Sequence, residues 1–255
     1  MYLCTVKSSS EKKSCWFENW FDSPYYHLLY GNHDEKEAEN FISHLVNFLN
    51  PPKNSFVLDL ACGKGRHAVA LYKRGLDVTG IDLSEKNIAE AKKQEREGLS
   101  FFVHDMRFPF NVNYFDYTFN LFTSFGYFSS PRENANVISA VKSGLKANGI
   151  FVIDFLNASF VKKMINRNNE GGLEAGGIKF HWKKEIKNGF VAKEISFEAE
   201  NKKYFFTENV QLLSLDDFKK MLDPFFTVEN IFGDYNLGKF DEENSPRLIL
   251  IARKK

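Results

Sequence analysis

The sequence has almost no net charge: 34 basic residues stand against 33 acidic ones, leaving +1 over 255 residues. Without a field of one sign nothing gathers a polyanion, which argues against nucleic acid and anionic membrane as partners. Cysteine is equally scarce. Cys4, Cys15 and Cys62 are an odd number with no C-x-x-C spacing, so neither a disulfide framework nor a zinc site is expected, and the compartment expected is a reducing one. No apolar run approaches the roughly 18 residues of a membrane span, and the opening MYLCTVKSSSEKKS lacks the apolar core of a secretion signal. These absences lead to the expectation of a soluble, cytoplasmic chain with a small neutral or mixed-charge ligand. Protein partners are left unknown.

What is present is an alternation. The start at Asp34 and Glu37 resembles a capping box, and Ala38, Phe41, Ile42, Leu45 and Leu49 form a helical stripe that Pro51 and Pro52 end. Phe56 to Leu60 reads as a buried strand, Lys64 to Arg74 as a helix and Asp77 to Ile81 as a second strand. A helix from Ser84 to Gly98 follows, then strands at Ser100 to Val103 and Phe115 to Leu121. Ser130-Pro131 opens another helix that Asn148-Gly149 closes before a fifth strand, Ile150 to Leu156. Such alternation calls for a Rossmann-like α/β fold: a doubly wound, mostly parallel sheet with helices on both faces.

After Asn157 the pattern changes. Residues 178–213 alternate with period two around Asn188-Gly189, a hairpin signal, and predict an inserted antiparallel β meander. A helix from Ser214 and the strands Thr227 to Phe232 and Leu248 to Arg253 complete the sheet, the last pair adding an antiparallel terminal strand. The expected organisation is a flexible N-terminus with an aromatic segment at 1–33, a cofactor-binding core at 34–157, an inserted subdomain at 158–213 and completion of the core sheet at 214–255.

The chemistry centres on FVLDLACGKGRHAVAL, Phe56 to Leu71. Gly63, Gly65 and Ala68 satisfy the dinucleotide pattern G-x-G-x-x-G/A, and Asp82 lies where that pattern places a ribose-holding acid. A nicotinamide-dependent oxidoreductase is therefore the rival reading. Against it stand Asp59 and Asp105, which with Asp82 put three acids at the ends of three successive strands. Carboxylates there oppose a pyrophosphate but suit S-adenosylmethionine, which carries an ammonium, a sulfonium and an adenine amino group and no phosphate.

D-L-A-C-G-K-G, then G-I-D-L-S and H-D-M-R, resemble the class I S-adenosylmethionine-dependent methyltransferases, on their small-molecule branch. The resemblance implies that Asp59 and the turn Ala61, Gly63, Gly65 face the methionine moiety. It further implies that Asp82 with Leu83 holds the ribose, that Asp105 and the backbone of Met106 read adenine, and that Tyr25 and Tyr30 belong to a segment covering the cofactor. Arg66 and His33 are candidates for the carboxylate end. Ala61 replaces a glycine of the family pattern, a change expected to require a negative φ.

By the same resemblance NLFTSFGYF, Asn120 to Phe128, lies at the methyl acceptor and is similar to the segment in small-molecule and amino-sugar N-methyltransferases. Asn120, Thr123 and Tyr127 are its polar candidates for catalysis, with Asn120 also counted toward the cofactor. His67, His104 and His181 join Tyr127 as candidate bases. The segment is not the Asn/Asp-Pro-Pro-aromatic motif of methyltransferases acting on nucleic acid. Nitrogen is the slightly preferred acceptor atom, no metal is required, and a non-catalytic cofactor-binding module is the further alternative.

Overall fold

The structure, a computed structural model, describes residues 20–30, 35–128 and 130–255. Trp16, Phe17, His33 and the capping residue Asp34 lie outside the described residues. Helices α1 (Pro24–Tyr30) and α2 (Glu35–Leu49) precede a strand and helix alternation of β1 (Phe56–Leu60), α3 (Arg66–Lys73), β2 (Asp77–Asp82), α4 (Glu85–Ala91), β3 (Leu99–Val103), β4 (Phe115–Asn120), α5 (Pro131–Gly144) and β5 (Leu145–Leu156). Then come α6 (Ala158–Arg167) and four strands, β6 (Glu170–Ala175), β7 (Ile178–Lys187), β8 (Phe190–Ala199) and β9 (Lys202–Gln211). Helix α7 (Leu215–Leu222) and strands β10 (Phe226–Phe232) and β11 (Arg247–Lys254) close the chain.

The main sheet has seven strands in the order β10-β11-β5-β4-β1-β2-β3. Its strands run parallel except β11, which is antiparallel to both neighbours. Neighbouring residues on a strand point to opposite faces, and both faces are apolar here, as a sheet covered twice requires. Val57, Val152 and Ile249 pack on one side with Phe41 of α2, Leu71 of α3 and Ile88 of α4. Leu58, Ile153 and Leu250 pack on the other with Val137 of α5 and Phe218 of α7. The fold is Rossmann-like.

The strand order reverses between β1 and β4, and the crevice at such a reversal, at the carboxyl ends of the strands, is where open α/β sheets bind ligands. The second sheet, β6-β7-β8-β9, is the antiparallel meander. Phe180, Ile195 and Phe197 on one of its faces enclose Trp20 and Leu29, anchoring α1 to the meander.

Helices α4, α5 and α6 depart from the sequence-based expectation, as does β6, which precedes the meander predicted over 178–213. Helix α4 stops at Ala91 rather than Gly98, because only Asn87, Ile88 and Ala91 are buried and the polar stretch beyond has no apolar stripe to continue it. Helix α5 stops at Gly144 rather than at Asn148-Gly149. Fully buried Leu145 instead starts β5 opposite Phe115, and the dipeptide becomes an irregularity inside the strand. Helix α6 was not anticipated, although Asn157 caps it by accepting from the Ser159 N–H at 3.2 Å; Asn157 followed by Val161 and Met164 at helical spacing was its signal. Among the described residues, no helix is long and apolar enough to cross a membrane.

Candidate cofactor and acceptor site

A cavity of about 460 Å³ lies at the carboxyl ends of β1, β2 and β4, bounded by the turn after β1, by Asp82 and Leu83, by His104 to Met106, by the loop after β4 and by α1. Its size is that of a small-molecule site. The turn after β1 is built largely from left-handed residues: Ala61, Gly63 and Gly65 have φ of 62°, 57° and 84°. The expectation for Ala61 is therefore corrected, since the reversal from strand to helix demands a positive φ even from an L residue. Gly65 is obligatory for a second reason: a Cβ there would lie 2.7 Å from the Phe101 ring. It stands behind the cavity rather than in its wall.

Left-handed geometry costs alanine roughly 1–2 kcal/mol, against about 0.4–1 kcal/mol of unfolded-chain entropy that a glycine would add. Ala61→Gly is thus expected to stabilise the protein by up to about 1 kcal/mol, read from the midpoint of chemical unfolding. A lower midpoint would show that the turn is not strained.

Backbone N–H groups of the turn are already engaged. Cys62 donates to Ile81 O at 2.9 Å, Gly65 to Cys62 O at 3.0 Å and Gly63 to the Asp82 carboxylate at 2.9 Å. Asp82 also accepts from the Ser84 N–H at 2.8 Å. Burial raises the Asp82 carboxyl above its ordinary range, with these two N–H groups opposing the rise. A pyrophosphate needs such N–H groups for itself, and here a carboxylate holds one.

Asp59 is buried behind the turn and does not reach the cavity wall. Burial, and then the charge of Asp82, push its carboxyl up to about 7. Its Oδ2 has no hydrogen-bond partner. Asp105 does line the cavity. Burial works to raise it, but side-chain and backbone bonds from Arg107 prevail and hold it below the usual range. Arg107 spans Asp105 and Glu133 at 2.6 Å each and lies 5.0 Å from the centre of the Phe128 ring, a bracing role that sequence reasoning missed.

On the opposite side, Tyr127 lines the cavity and its hydroxyl donates to Thr123 O at 2.5 Å. Phe122 lines it too, with the Arg66 guanidinium 5.1 Å from its ring centre. Asn120 and Thr123 are not in the wall: the Asn120 amide donates to Leu60 O at 3.0 Å, and the Thr123 hydroxyl accepts from Arg247 at 2.9 Å. Tyr30 faces the cavity and donates to Glu208 of β9 at 2.7 Å. Tyr25 instead packs on Phe197 and Tyr204 at 4.7 and 4.9 Å, away from the cavity. Tyr26 and His27 occupy the wall in its place.

Of the histidines, His67 lines the cavity but burial lowers it to about 3, too weak a base for neutral pH. His104 lines the cavity with Nε2 3.0 Å from Phe108 O. His181 is exposed on β7.

With that geometry in place, residues 57–149 match the family model of a methyltransferase domain. Those residues carry a methyltransferase domain. A putative methyltransferase of Bacillus subtilis is 32% identical over 115 residues, 43% of this chain and 45% of the relative. A dTDP-3-amino-3,4,6-trideoxy-α-D-glucopyranose N,N-dimethyltransferase of Streptomyces venezuelae is 29% identical over 103 residues, 40% of this chain and 43% of that one. The alignments thus span less than half the length of either relative. A solved S-adenosylmethionine-dependent methyltransferase of Clostridium acetobutylicum shares the fold with a TM-score of 0.75 at 21% identity, covering 92% of this chain and 98% of that one.

S-adenosylmethionine is the cofactor that the matched methyltransferase domain implies, and the residues of the site fit it. The Asp59 oxygen without a donor is a place for cationic character, and the occupied N–H groups of the turn leave little for a phosphate.

Proposed function

We propose that the chain transfers a methyl group from S-adenosylmethionine to a small-molecule acceptor, with nitrogen the favoured acceptor atom. The observation that carries this reading is Asp82, which fixes the turn through Gly63 and Ser84 while facing the cavity. The cofactor supplies a methyl group on a sulfonium, whose departing thioether is neutral, so the chemistry asks for no metal.

The chain's own residues bind, orient and exclude water. Asp82 and Leu83 hold the ribose, and Asp105, braced by Arg107, holds the adenine end with Met106. Ala61, Gly63 and Arg66 hold the methionine end, with Asp59 supplying negative charge from behind. Gly65 shapes the turn, and Asn120 acts from behind the wall by tying β4 to Leu60 of β1. Tyr127 and Tyr30 present phenols beside the acceptor, while Phe21, Phe122 and Tyr26 keep the space dry. Support for nitrogen comes from the amino-sugar N,N-dimethyltransferase among the relatives and from the aromatic wall, which accommodates an amine in either charge state.

Calorimetric titration with S-adenosylmethionine and with NAD tests the cofactor, and binding of NAD alone would overturn it. Release of S-adenosylhomocysteine is then followed across amines, amino sugars, phenols and carboxylic acids. Turnover is expected with amines. Turnover confined to phenols or acids would remove the nitrogen preference, and tight cofactor binding without any transfer would favour a non-catalytic module.

A further inference from the structure

The loop forming the acceptor-side wall is held in a conformation that its own residues disfavour. Phe122 and Thr123 have φ of 58° and 59°. For a β-branched threonine this is an outlier, and such geometry persists only where the surroundings over-determine it.

The surroundings here are a buried ion pair between β5 and β11. Asp154, whose side chain is fully buried, accepts the Phe122 N–H on Oδ2 at 2.8 Å, and its backbone carbonyl accepts the Thr123 N–H at 3.1 Å. Its Oδ1 accepts Arg247 Nε at 2.7 Å, and Arg247 Nη2 donates to Thr123 Oγ1 at 2.9 Å. Tyr235 completes the set, its hydroxyl 3.4 Å from Asp154 Oδ2. Phe122 is thus bonded to Asp154, and Thr123 to both members of the ion pair. From there the constraint reaches the cavity: Tyr127 is tied to Thr123 O, and Phe122 carries Arg66 against its ring.

Neither Asp154 nor Arg247 belongs to the cavity wall. A buried ion pair is a poor device for stability alone, because an apolar pair of similar volume does as well. We propose that Asp154 and Arg247 are positioning residues, which hold Phe122 and Thr123 in the left-handed turn and thereby place Tyr127 and Phe122 in the wall of the transfer site. The functional half of this inference rests on the methyl-transfer reading; the structural half does not.

Hydrogen exchange on the full chain, read in peptides covering residues 121–128, tests it together with calorimetric binding of S-adenosylmethionine. Asp154→Asn is expected to speed exchange in 121–128 by about tenfold or more and to weaken S-adenosylmethionine binding by about tenfold, while β1 and β2 keep their protection. Because glycine adopts a positive φ without strain, Thr123→Gly added to Asp154→Asn should restore part of both losses. Should Asp154→Asn fail to fold, Arg247→Lys keeps the charge opposite Asp154 but not the fork to Thr123, and is expected to loosen the same loop. Exchange rising equally in β1, β2 and the loop without recovery from Thr123→Gly, or an unchanged loop in Arg247→Lys, would overturn the proposal. A wild-type protein that does not bind S-adenosylmethionine would overturn the transfer reading and leave the exchange result standing.

Discussion

Replacing Asp82 with alanine is expected to weaken S-adenosylmethionine binding by about two orders of magnitude. A hydrogen bond to a charged group contributes about 1.5–3 kcal/mol, and a ribose offers two hydroxyls to one carboxylate, so a loss of about 3 kcal/mol is conservative. The substitution acts a second time through the turn, since Gly63 and Ser84 lose the acceptor of their N–H groups. Asp82→Asn separates these effects. It keeps one oxygen for the turn and should lose less affinity than alanine, with the cavity still formed. Calorimetric titration of both variants measures the two losses, and unchanged affinity in Asp82→Ala would mean that the ribose is held elsewhere.

Asp59→Asn is expected to stabilise the ligand-free protein above neutral pH while weakening S-adenosylmethionine binding. With its carboxyl pushed up to about 7 by burial and by Asp82, from an ordinary value of 3.8, folded Asp59 keeps a proton that the unfolded chain releases. Stability therefore falls as pH rises between those values, by up to about 4 kcal/mol in total. Asparagine removes that ionisation. At pH 8 the variant should be more stable by some part of about 4 kcal/mol, the remainder being lost because the amide needs partners of its own. Asp82, also raised by burial, adds to the wild-type decline in the same sense, so the variant flattens the profile without abolishing it. A bound cation favours the Asp59 carboxylate, so wild-type affinity for S-adenosylmethionine should rise roughly tenfold from pH 5.5 to 7.5 and the variant should lose most of that slope. Chemical unfolding across pH and titration at the two pH values measure both, and a variant with the wild-type stability profile would show that Asp59 is not the group responsible.

How well each residue could be read followed the distance over which its role is set. Gly63 and Asp82, read from one strand, turn, helix and strand unit whose period and turn chemistry are local, line the cavity, whereas Asp59 and Gly65 of the same unit stand behind it. Tyr25 shows the limit within a short helix. Tyr26 and Tyr30 are four apart and share the face toward the cavity, whereas Tyr25 is one residue out of phase and points at Phe197. A seven-residue helix of aromatics has no apolar stripe by which to tell those faces apart. Asn120 ends β4 and Thr123 lies in the loop after it, yet their partners lie on β1 and β11, and those partners turn both away from the cavity.

The sequence by itself determined the alternation of strands and helices and two acids of the crevice, Asp82 and Asp105, which point to the methyl donor. The tertiary structure decided which side chains enter that crevice. Glu208 meets Tyr30 across 178 residues, and Arg247 meets Asp154 across 93. It also set Ala61, Phe122 and Thr123 in left-handed geometry that their own preferences oppose. Local propensity fixes an element because its energies act between near neighbours in the chain, but the rotation of that element, and any strain within it, is fixed by packing and buried charge contributed from the far side of the fold.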